Sequence, residues 1–154
     1  MEGLKSILRR YTTLSSLIGL FLLSLSSAHA QMTDEQKREA IQIAIKQIGT
    51  PYKLGGSAPH QGFDCSGLIQ YAYQKVGLDI PRITREQSKF FSPTSRPQPG
   101  DVVFFKINGR TVSHAGIYLG NNKMVHAPSS GKRVEITSID QPYWRKRLYK
   151  FGRM

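Results

Sequence analysis

Three side chains in the sequence could together carry out nucleophilic catalysis: Cys65, the only cysteine, and His114 and His126, which follow it. A thiolate is a strong nucleophile, and a catalytic cysteine needs a base, most often a histidine, to take its proton. These residue types therefore indicate a candidate cysteine hydrolase. On type alone, Cys65 could instead be a buried structural residue and each histidine a half-buried strand residue, so the surrounding elements decide.

The segment that starts at Cys65 is predicted to be a helix. Asp64 has the side chain of an N-cap and Gly77 is a C-terminal stop. An apolar stripe follows at helical spacing, made of Leu68, Ile69, Ala72 and Val76. A helix N-terminus favours negative charge, so this position is expected to lower the pKa of the thiol. Gly67 is expected to leave space beside the sulfur, and Asp64 to cap the helix rather than oppose the thiolate.

The two histidines lie in neighbouring predicted strands, residues 112 to 119 and 123 to 127. If residues 120 to 122 (Gly-Asn-Asn) form a three-residue loop, Leu119 pairs with Lys123 and the histidines lie on one face as diagonal neighbours. A two-residue loop would place them on opposite faces of the sheet. The meeting of His114 and His126 therefore depends on the loop.

The remaining pattern predicts helices first and strands afterwards. Residues 33 to 48 form an amphipathic pattern that includes Ile48, with Thr33 and Gln36 in capping-box spacing. The apolar run at 102 to 105 indicates a strand buried on both faces, and Asn108-Gly109 is a hairpin signal. Residues 134 to 136 and 148 to 151 are expected to add edge strands. This order favours an α+β fold with an antiparallel sheet.

The first thirty residues have the pattern of a signal peptide. A basic start precedes an apolar core at residues 17 to 23, and Ala28-His29-Ala30 is a small-x-small cleavage site. The alternative, a membrane anchor, needs a longer apolar stretch of roughly 20 residues. We therefore expect an exported protein with a signal peptide at 1–30, one domain at 31–154 and no stable membrane anchor after cleavage.

The chain is strongly basic, with a formal net charge of +12. Such a charge favours anionic partners, which for an exported protein are cell-wall polymers or membrane surfaces. No nucleic-acid recognition motif is present, so no nucleic-acid partner is expected. A solvated basic surface without a specific partner is the alternative interpretation.

Six segments, in order and with matching spacing over roughly residues 38 to 150, give the chain a family resemblance. They are Pro51-Tyr52-Lys53-Leu54-Gly55-Gly56, Gly62-Phe63-Asp64-Cys65-Ser66-Gly67-Leu68, Ile80-Pro81-Arg82, Pro99-Gly100-Asp101-Val102-Val103-Phe104-Phe105, Ser113-His114-Ala115-Gly116-Ile117-Tyr118 and Val125-His126-Ala127-Pro128. In this pattern the chain resembles the NlpC family of bacterial cell-wall cysteine peptidases. Leu54 departs from it, because the family usually has Trp before the two glycines.

The resemblance implies a papain-like fold, in which a helix carrying the cysteine packs on an antiparallel sheet carrying the histidines. It implies a triad with Cys65 as nucleophile, His114 as base and His126 as orienting group, the first two sharing a proton as thiolate and imidazolium. Tyr52 matches a tyrosine near the oxyanion site. Asp64 and Ser66 match positions that line the substrate groove, whereas the resemblance assigns no role to Arg82. No metal or cofactor is implied.

The function that follows from the resemblance is hydrolysis of an amide bond in peptidoglycan, in the stem peptide or the crosslink. The expected partner is the stem peptide, and the expected state is a monomer. An exported antibacterial toxin with the same chemistry and an amidase or acyltransferase on a related fold remain alternatives. A wall-binding module with a dead site is disfavoured by the intact Cys65, His114 and His126. His60, in the loop before the cysteine, is expected to line the groove or to be exposed.

Overall fold

The structure, a computed structural model, describes residues 31–154, which form four helices and eight strands. The helices are α1 (Asp34–Ile45), α2 (Cys65–Lys75), α3 (Thr84–Phe90) and α4 (Pro142–Arg145). The strands are β1 (Ser57–Ala58), β2 (Gly62–Phe63), β3 (Ser92–Thr94), β4 (Val102–Phe105), β5 (His114–Gly120), β6 (Lys123–His126), β7 (Glu135–Ser138) and β8 (Leu148–Arg153). The expected signal peptide lies outside the described residues. No helix within 31–154 has the length and apolar character needed to span a bilayer.

The main sheet is antiparallel and has the strand order β3-β8-β4-β5-β6-β7, beside a separate β1-β2 pair. The strand expected near 134 to 136 is β7, which is at an edge as predicted. The prediction that 148 to 151 forms an edge strand is wrong, because β8 lies between β4 and β3. The short β3 takes the edge instead, and it contains Pro93, a residue that is tolerated where no ladder donor is needed.

Helix α1 begins as predicted and ends early. The Thr33 side chain accepts a hydrogen bond from the Gln36 backbone while the Gln36 side chain accepts one from the Thr33 backbone, which completes the capping box. The helix ends at Ile45, and Gly49 then adopts a φ of +90°. Ile48, predicted on the buried face, lies beyond the helix and is 47% exposed.

Apolar side chains cover both faces of the sheet. Val102 and Phe104 of β4 pack with α2 in the larger core, where Leu68, Ile69, Ala72 and Tyr73 are fully buried. Val103 and Phe105 point to the opposite face, where they pack with Trp144 of α4 in a second core. The alternation within β4 explains its continuous apolar sequence, because successive side chains of a strand enter different cores.

The β5–β6 hairpin has the shorter of the two loops considered for residues 120 to 122, together with a bulge. Asn121 and Asn122 have φ values of 49° and 53° and form a two-residue turn, with Gly120 opposite Lys123. A register shift between Tyr118 and Gly120 then bulges the strand, so that Tyr118 faces Met124. The bulge adds the residue that the shorter loop removes, which restores the predicted parity and leaves both histidines on one face.

Candidate active site

Helix α2 presents Cys65 as its first residue. The Asp64 side chain accepts a hydrogen bond of 2.7 Å from the backbone N–H of Gly67, which is the predicted N-cap. The sequence suggested that Gly67 leaves space beside the sulfur, but in the structure this glycine has a different role. A Cβ atom at this position would lie 2.1 Å from the carbonyl oxygen of Gly56, so the glycine allows the preceding loop to pack against α2.

The thiol of Cys65 is buried, with 8% of the residue exposed. Burial raises the pKa of Cys65 above its ordinary value, although hydrogen bonds from the Thr84 hydroxyl and the backbones of Ala115 and Ser66 lower it. Thr84 Oγ1 lies 3.4 Å from the sulfur. The predicted lowering of this pKa by the helix N-terminus is therefore wrong for the ligand-free site, since desolvation outweighs it.

The strands bring the two histidines into direct contact. His114 is the first residue of β5 and His126 the last of β6, and His114 Nε2 lies 2.8 Å from His126 Nδ1. Gly116 permits this approach, because a Cβ there would come within 3.1 Å of His126 Cβ. The Nδ1 atom of His114 is not used in this contact, which leaves it for proton exchange with a nucleophile.

Both imidazoles are held in the neutral form. Burial lowers the pKa of His114 to about 4. Burial, the neighbouring His114 and the positive charge of Lys132 lower the pKa of His126 to about 3. Because the pKa of Cys65 is raised at the same time, the resting site holds a neutral thiol beside a neutral imidazole. The standing thiolate–imidazolium pair implied by the resemblance is therefore disfavoured without substrate.

A hydrogen-bonded chain continues behind His126, and no sequence pattern indicates it. His126 Nε2 lies 3.1 Å from the hydroxyl of Thr137, and this hydroxyl donates to the Glu135 carboxylate over 3.1 Å. Glu135 lies directly opposite His126 in the β6–β7 ladder. Glu135 and Thr137 are two residues apart in β7, so their side chains lie on the same face of the strand and form one chain with the His126 ring.

Trp144 covers the histidine pair, and no pattern in the sequence predicts this role. Its indole stacks on His114 with ring centroids 5.0 Å apart and meets the His126 ring edge-on at the same distance. Phe105 packs against the indole from the strand beside β5. The indole thus shields both imidazoles from water. The only signal in the sequence was that Trp144 is the one tryptophan of the chain.

Arg82, left without a role by the sequence, binds Asp64. Its two guanidinium nitrogens donate to the two carboxylate oxygens over 2.9 and 2.8 Å, and it also donates to Ser66 Oγ over 3.0 Å. Burial favours a raised pKa for Asp64, but hydrogen bonds from Arg82 and from the Gly67 and Gly55 backbones reverse this and lower it. The carboxylate stays ionised and paired with Arg82. Its charge still contributes to the raised pKa of Cys65.

A cavity of about 660 Å³ opens at the site. Tyr52, Cys65, His114 and Trp144 line it together with residues that carry charge and polar groups around its rim: Ser113, Ser129, Lys132, Glu135, Thr137, Gln141 and Tyr143. Its size suits a small-molecule or peptide ligand. Of the predicted groove residues, Tyr52 contributes to the wall, whereas Asp64 and Ser66 lie behind it in contact with Arg82. His60 is exposed and does not line the cavity.

Burial, together with the charges of Cys65 and Asp64, raises the pKa of Tyr52, so its hydroxyl stays protonated and able to donate a hydrogen bond into the cavity. Within residues 31–154, no group of three or more His, Cys, Asp and Glu side chains is arranged to hold a metal ion. The site therefore offers a thiol, a neutral imidazole whose Nδ1 is not used in the contact with His126, and hydrogen-bond donors. This combination fits acyl transfer through a cysteine.

A helix with a cysteine at its N-terminus, packed on an antiparallel sheet that carries the histidines, defines a papain-like fold. The chain belongs to the NlpC/P60 family, whose model matches residues 49–153. Two relatives are the murein DD-endopeptidase MepH of Escherichia coli, 40% identical over 80% of this chain, and the bifunctional muramidase/DL-endopeptidase CwlT of Bacillus subtilis, 40% identical over 72%. The chain spans 48% of the first protein's length and 34% of the second's.

The fold is shared with solved structures of the family. A protein of the NLP/P60 family from Staphylococcus aureus superposes with a TM-score of 0.72 at 34% identity, over 80% of this chain and 42% of that one. The mixed helix and antiparallel sheet expected from the sequence is therefore confirmed, and so is the family resemblance.

Proposed function

We propose that the protein is an exported cysteine peptidase that hydrolyses an amide bond in the peptide part of peptidoglycan, with Cys65, His114 and His126 as its triad. The observation that carries the proposal is the contact of 2.8 Å between His114 Nε2 and His126 Nδ1, which does not use His114 Nδ1, in a residue that lines the same cavity as Cys65. The relatives named for murein and DL-endopeptidase activity support the substrate class. The signal-peptide pattern and the basic charge support action in the periplasm or cell wall. We propose that the protein acts there as a monomer.

The proposed mechanism starts from the neutral pair. His114 Nδ1 takes the proton of the Cys65 thiol as the sulfur attacks the carbonyl carbon of the scissile amide. The oxyanion is held by the backbone N–H of Cys65, at the start of α2, and by the Tyr52 hydroxyl. The imidazolium then gives its proton to the leaving amine, which leaves a thioester on Cys65. Water, deprotonated by His114, hydrolyses the thioester and restores the thiol.

The neutral resting state has a consequence for how the site is activated. Burial of both groups makes the ion pair costly before substrate arrives. Proton transfer therefore accompanies attack, when the negative charge moves from sulfur to an oxyanion that has hydrogen-bond donors. His126 acts through His114, since its Nδ1 lone pair stabilises the imidazolium through the Nε2–H of His114.

Digestion of purified peptidoglycan, with the products read by mass spectrometry, tests the function. The full chain is expressed for export, purified as the host processes it, and compared with the variant Cys65→Ala. We expect new fragments from the wild type alone. Their masses distinguish cleavage of the crosslink from cleavage between D-glutamate and the diamino acid of the stem. Equal digestion by both proteins would reject Cys65 as the nucleophile, and digestion by neither would reject peptidoglycan as the substrate.

A further inference from the structure

The histidine pair works as a base only if its protons lie on particular nitrogens. A neutral imidazole carries one proton, on Nδ1 or on Nε2, and which nitrogen carries it depends on the hydrogen bond that the other one makes. His114 can accept the Cys65 proton at Nδ1 only if its own proton is on Nε2. His126 must then accept at Nδ1 and carry its own proton on Nε2. In the opposite arrangement, His114 Nδ1 would already carry a proton and could not accept one from the thiol.

We propose that Glu135 and Thr137 are positioning residues that set these tautomers through one directional chain of hydrogen bonds. The inference rests on the proposed function, because it assigns the groups that prepare the base of that same site. Neither residue belongs to the six segments that carry the family resemblance. Neither touches the reacting atoms, since both act through His126.

The direction of the chain starts at the carboxylate. A carboxylate only accepts hydrogen bonds, so the contact of 3.1 Å with Thr137 Oγ1 requires Thr137 to donate its single hydroxyl proton to Glu135. With that proton used, Thr137 Oγ1 can only accept from His126 Nε2, which lies 3.1 Å away. His126 Nε2 therefore carries the proton. His126 Nε2 lies 3.7 Å from Glu135 Oε1, so the carboxylate also favours the dipole of an N–H at this nitrogen over a lone pair.

The tautomer of His126 then determines the tautomer of His114. His126 is neutral because burial and its neighbours lower its pKa to about 3, so a proton on Nε2 leaves a lone pair on Nδ1. That lone pair accepts from His114 Nε2 over 2.8 Å. His114 is neutral as well, which leaves its Nδ1 unprotonated and ready for the thiol.

Reversing the chain carries an electrostatic penalty. If His126 donated from Nδ1, Thr137 would have to turn its proton towards His126 Nε2. Thr137 Oγ1 would then present a lone pair to the Glu135 carboxylate at 3.1 Å, with no proton between the two oxygens. The other charged group that acts on His126 is Lys132, whose charge disfavours the doubly protonated ring without selecting a tautomer. The orientation of the pair therefore depends on Glu135.

The direct test is NMR of the protein labelled with ¹⁵N-histidine, recorded at pH 7 without substrate. Long-range proton–nitrogen correlations report which ring nitrogen carries the proton. We expect His114 and His126 both to be protonated at Nε2 and unprotonated at Nδ1. A wild-type spectrum with His126 protonated at Nδ1 would overturn the proposal, whatever the variants do.

Matched variants then test the cause. Thr137→Val removes the hydroxyl at nearly constant shape and should populate the second tautomer of His114 and lower kcat by about tenfold with little change in KM. Thr137→Ser keeps the hydroxyl and should behave as the wild type. Glu135→Gln should have an effect between those of Thr137→Val and Thr137→Ser, because an amide can either accept or donate a hydrogen bond. Glu39→Gln, on the exposed face of α1, makes the same charge change and should alter neither the tautomers nor kcat. Wild-type tautomers and kcat in Thr137→Val would overturn the proposal.

The two proposals fail separately in these measurements. Nε2 protonation of both rings in a protein that cleaves no peptidoglycan would keep the tautomer assignment and reject the function. Cleavage of peptidoglycan by a protein whose His126 is protonated at Nδ1 would keep the function and reject the tautomer assignment.

Discussion

The indole of Trp144 lies stacked on the imidazole of His114, with ring centroids 5.0 Å apart and planes inclined by 29°. His114 lies opposite Phe105 in the β4–β5 ladder, so it shares the face of the sheet on which Trp144 packs. Helix α4, although distant in sequence, thus covers the imidazole of His114. This cover is one physical cause of the low pKa of His114, because it removes the water that would stabilise the imidazolium.

The stacking makes Trp144 a reporter of the charge on His114. Since protonated imidazole quenches an indole in contact with it, the fluorescence of the wild type should fall with a midpoint near pH 4. The variant His114→Gln should lack this transition. Far-UV circular dichroism marks the pH range in which both proteins remain folded. A midpoint at an ordinary histidine pKa would show that His114 is not desolvated as the structure has it.

The two histidines should differ in how much activity they support. His114→Ala removes the proposed general base and should lower kcat by roughly 10² to 10⁴-fold. His126→Ala should lose less, because an orienting group is partly replaceable by water. Hydrolysis of a cross-linked muropeptide by each variant measures both effects, with His60→Ala as an exposed control. The opposite order would show that the roles are exchanged.

The bidentate pair between Arg82 and Asp64 should stabilise the loop before α2. Arg82→Ala leaves a buried carboxylate without its partner and should lower the free energy of unfolding by about 2 kcal/mol. Asp64→Asn in the same chain should recover part of that loss, which a double-mutant cycle in urea measures. Arg145→Ala, in an exposed pair with Asp140, is the control and should change stability by less than about 0.5 kcal/mol. Additive effects at Arg82 and Asp64 would contradict a coupled pair.

The depressed histidine pKa values predict that acid weakens the fold. Between pH 6.5 and about 4 the unfolded chain binds protons that folded His114 and His126 do not, so the free energy of unfolding falls as pH decreases. The loss amounts to about 2 kcal/mol per histidine by pH 5. This loss of stability is absent above pH 6.5, the ordinary histidine pKa of the unfolded chain. Urea unfolding at pH 7 and pH 5 measures it, and His126→Gln should remove about half. Equal stability of the wild type at both pH values would contradict the lowered pKa values of the two histidines.

The hairpin shows why the sequence could not settle whether the two histidines share a face. A three-residue loop would place His114 and His126 on one face and a two-residue loop on opposite faces, whereas the chain combines a two-residue turn with a bulge before Gly120. Asn121 and Asn122 both tolerate a positive φ, which favours the shorter turn. The bulge itself has no local signature, because it arises from the demand that Ile117 and Val125 face the core.

The predictions that succeeded depend on short-range patterns. The cap at Asp64, the capping box at Thr33 and the strand at 102 to 105 each follow from neighbours within a few residues. Trp144, Thr137 and Glu135 reach His126 through tertiary packing alone, and nothing in their own segments indicates this. Burial of the thiol likewise depends on α3 and β5 closing around Cys65, so a pKa shift expected from the helix end alone had the wrong sign.

The proposed mechanism requires a thioester on Cys65, and acid quenching of the protein during turnover can trap it. A cross-linked muropeptide is mixed with the wild type, the reaction is stopped by acid within the first turnovers, and the digested protein is analysed by mass spectrometry. We predict an acyl group from the stem peptide on the fragment that contains Cys65, and none in Cys65→Ala. Continued hydrolysis by Cys65→Ala, or an acyl group on another residue, would contradict the account.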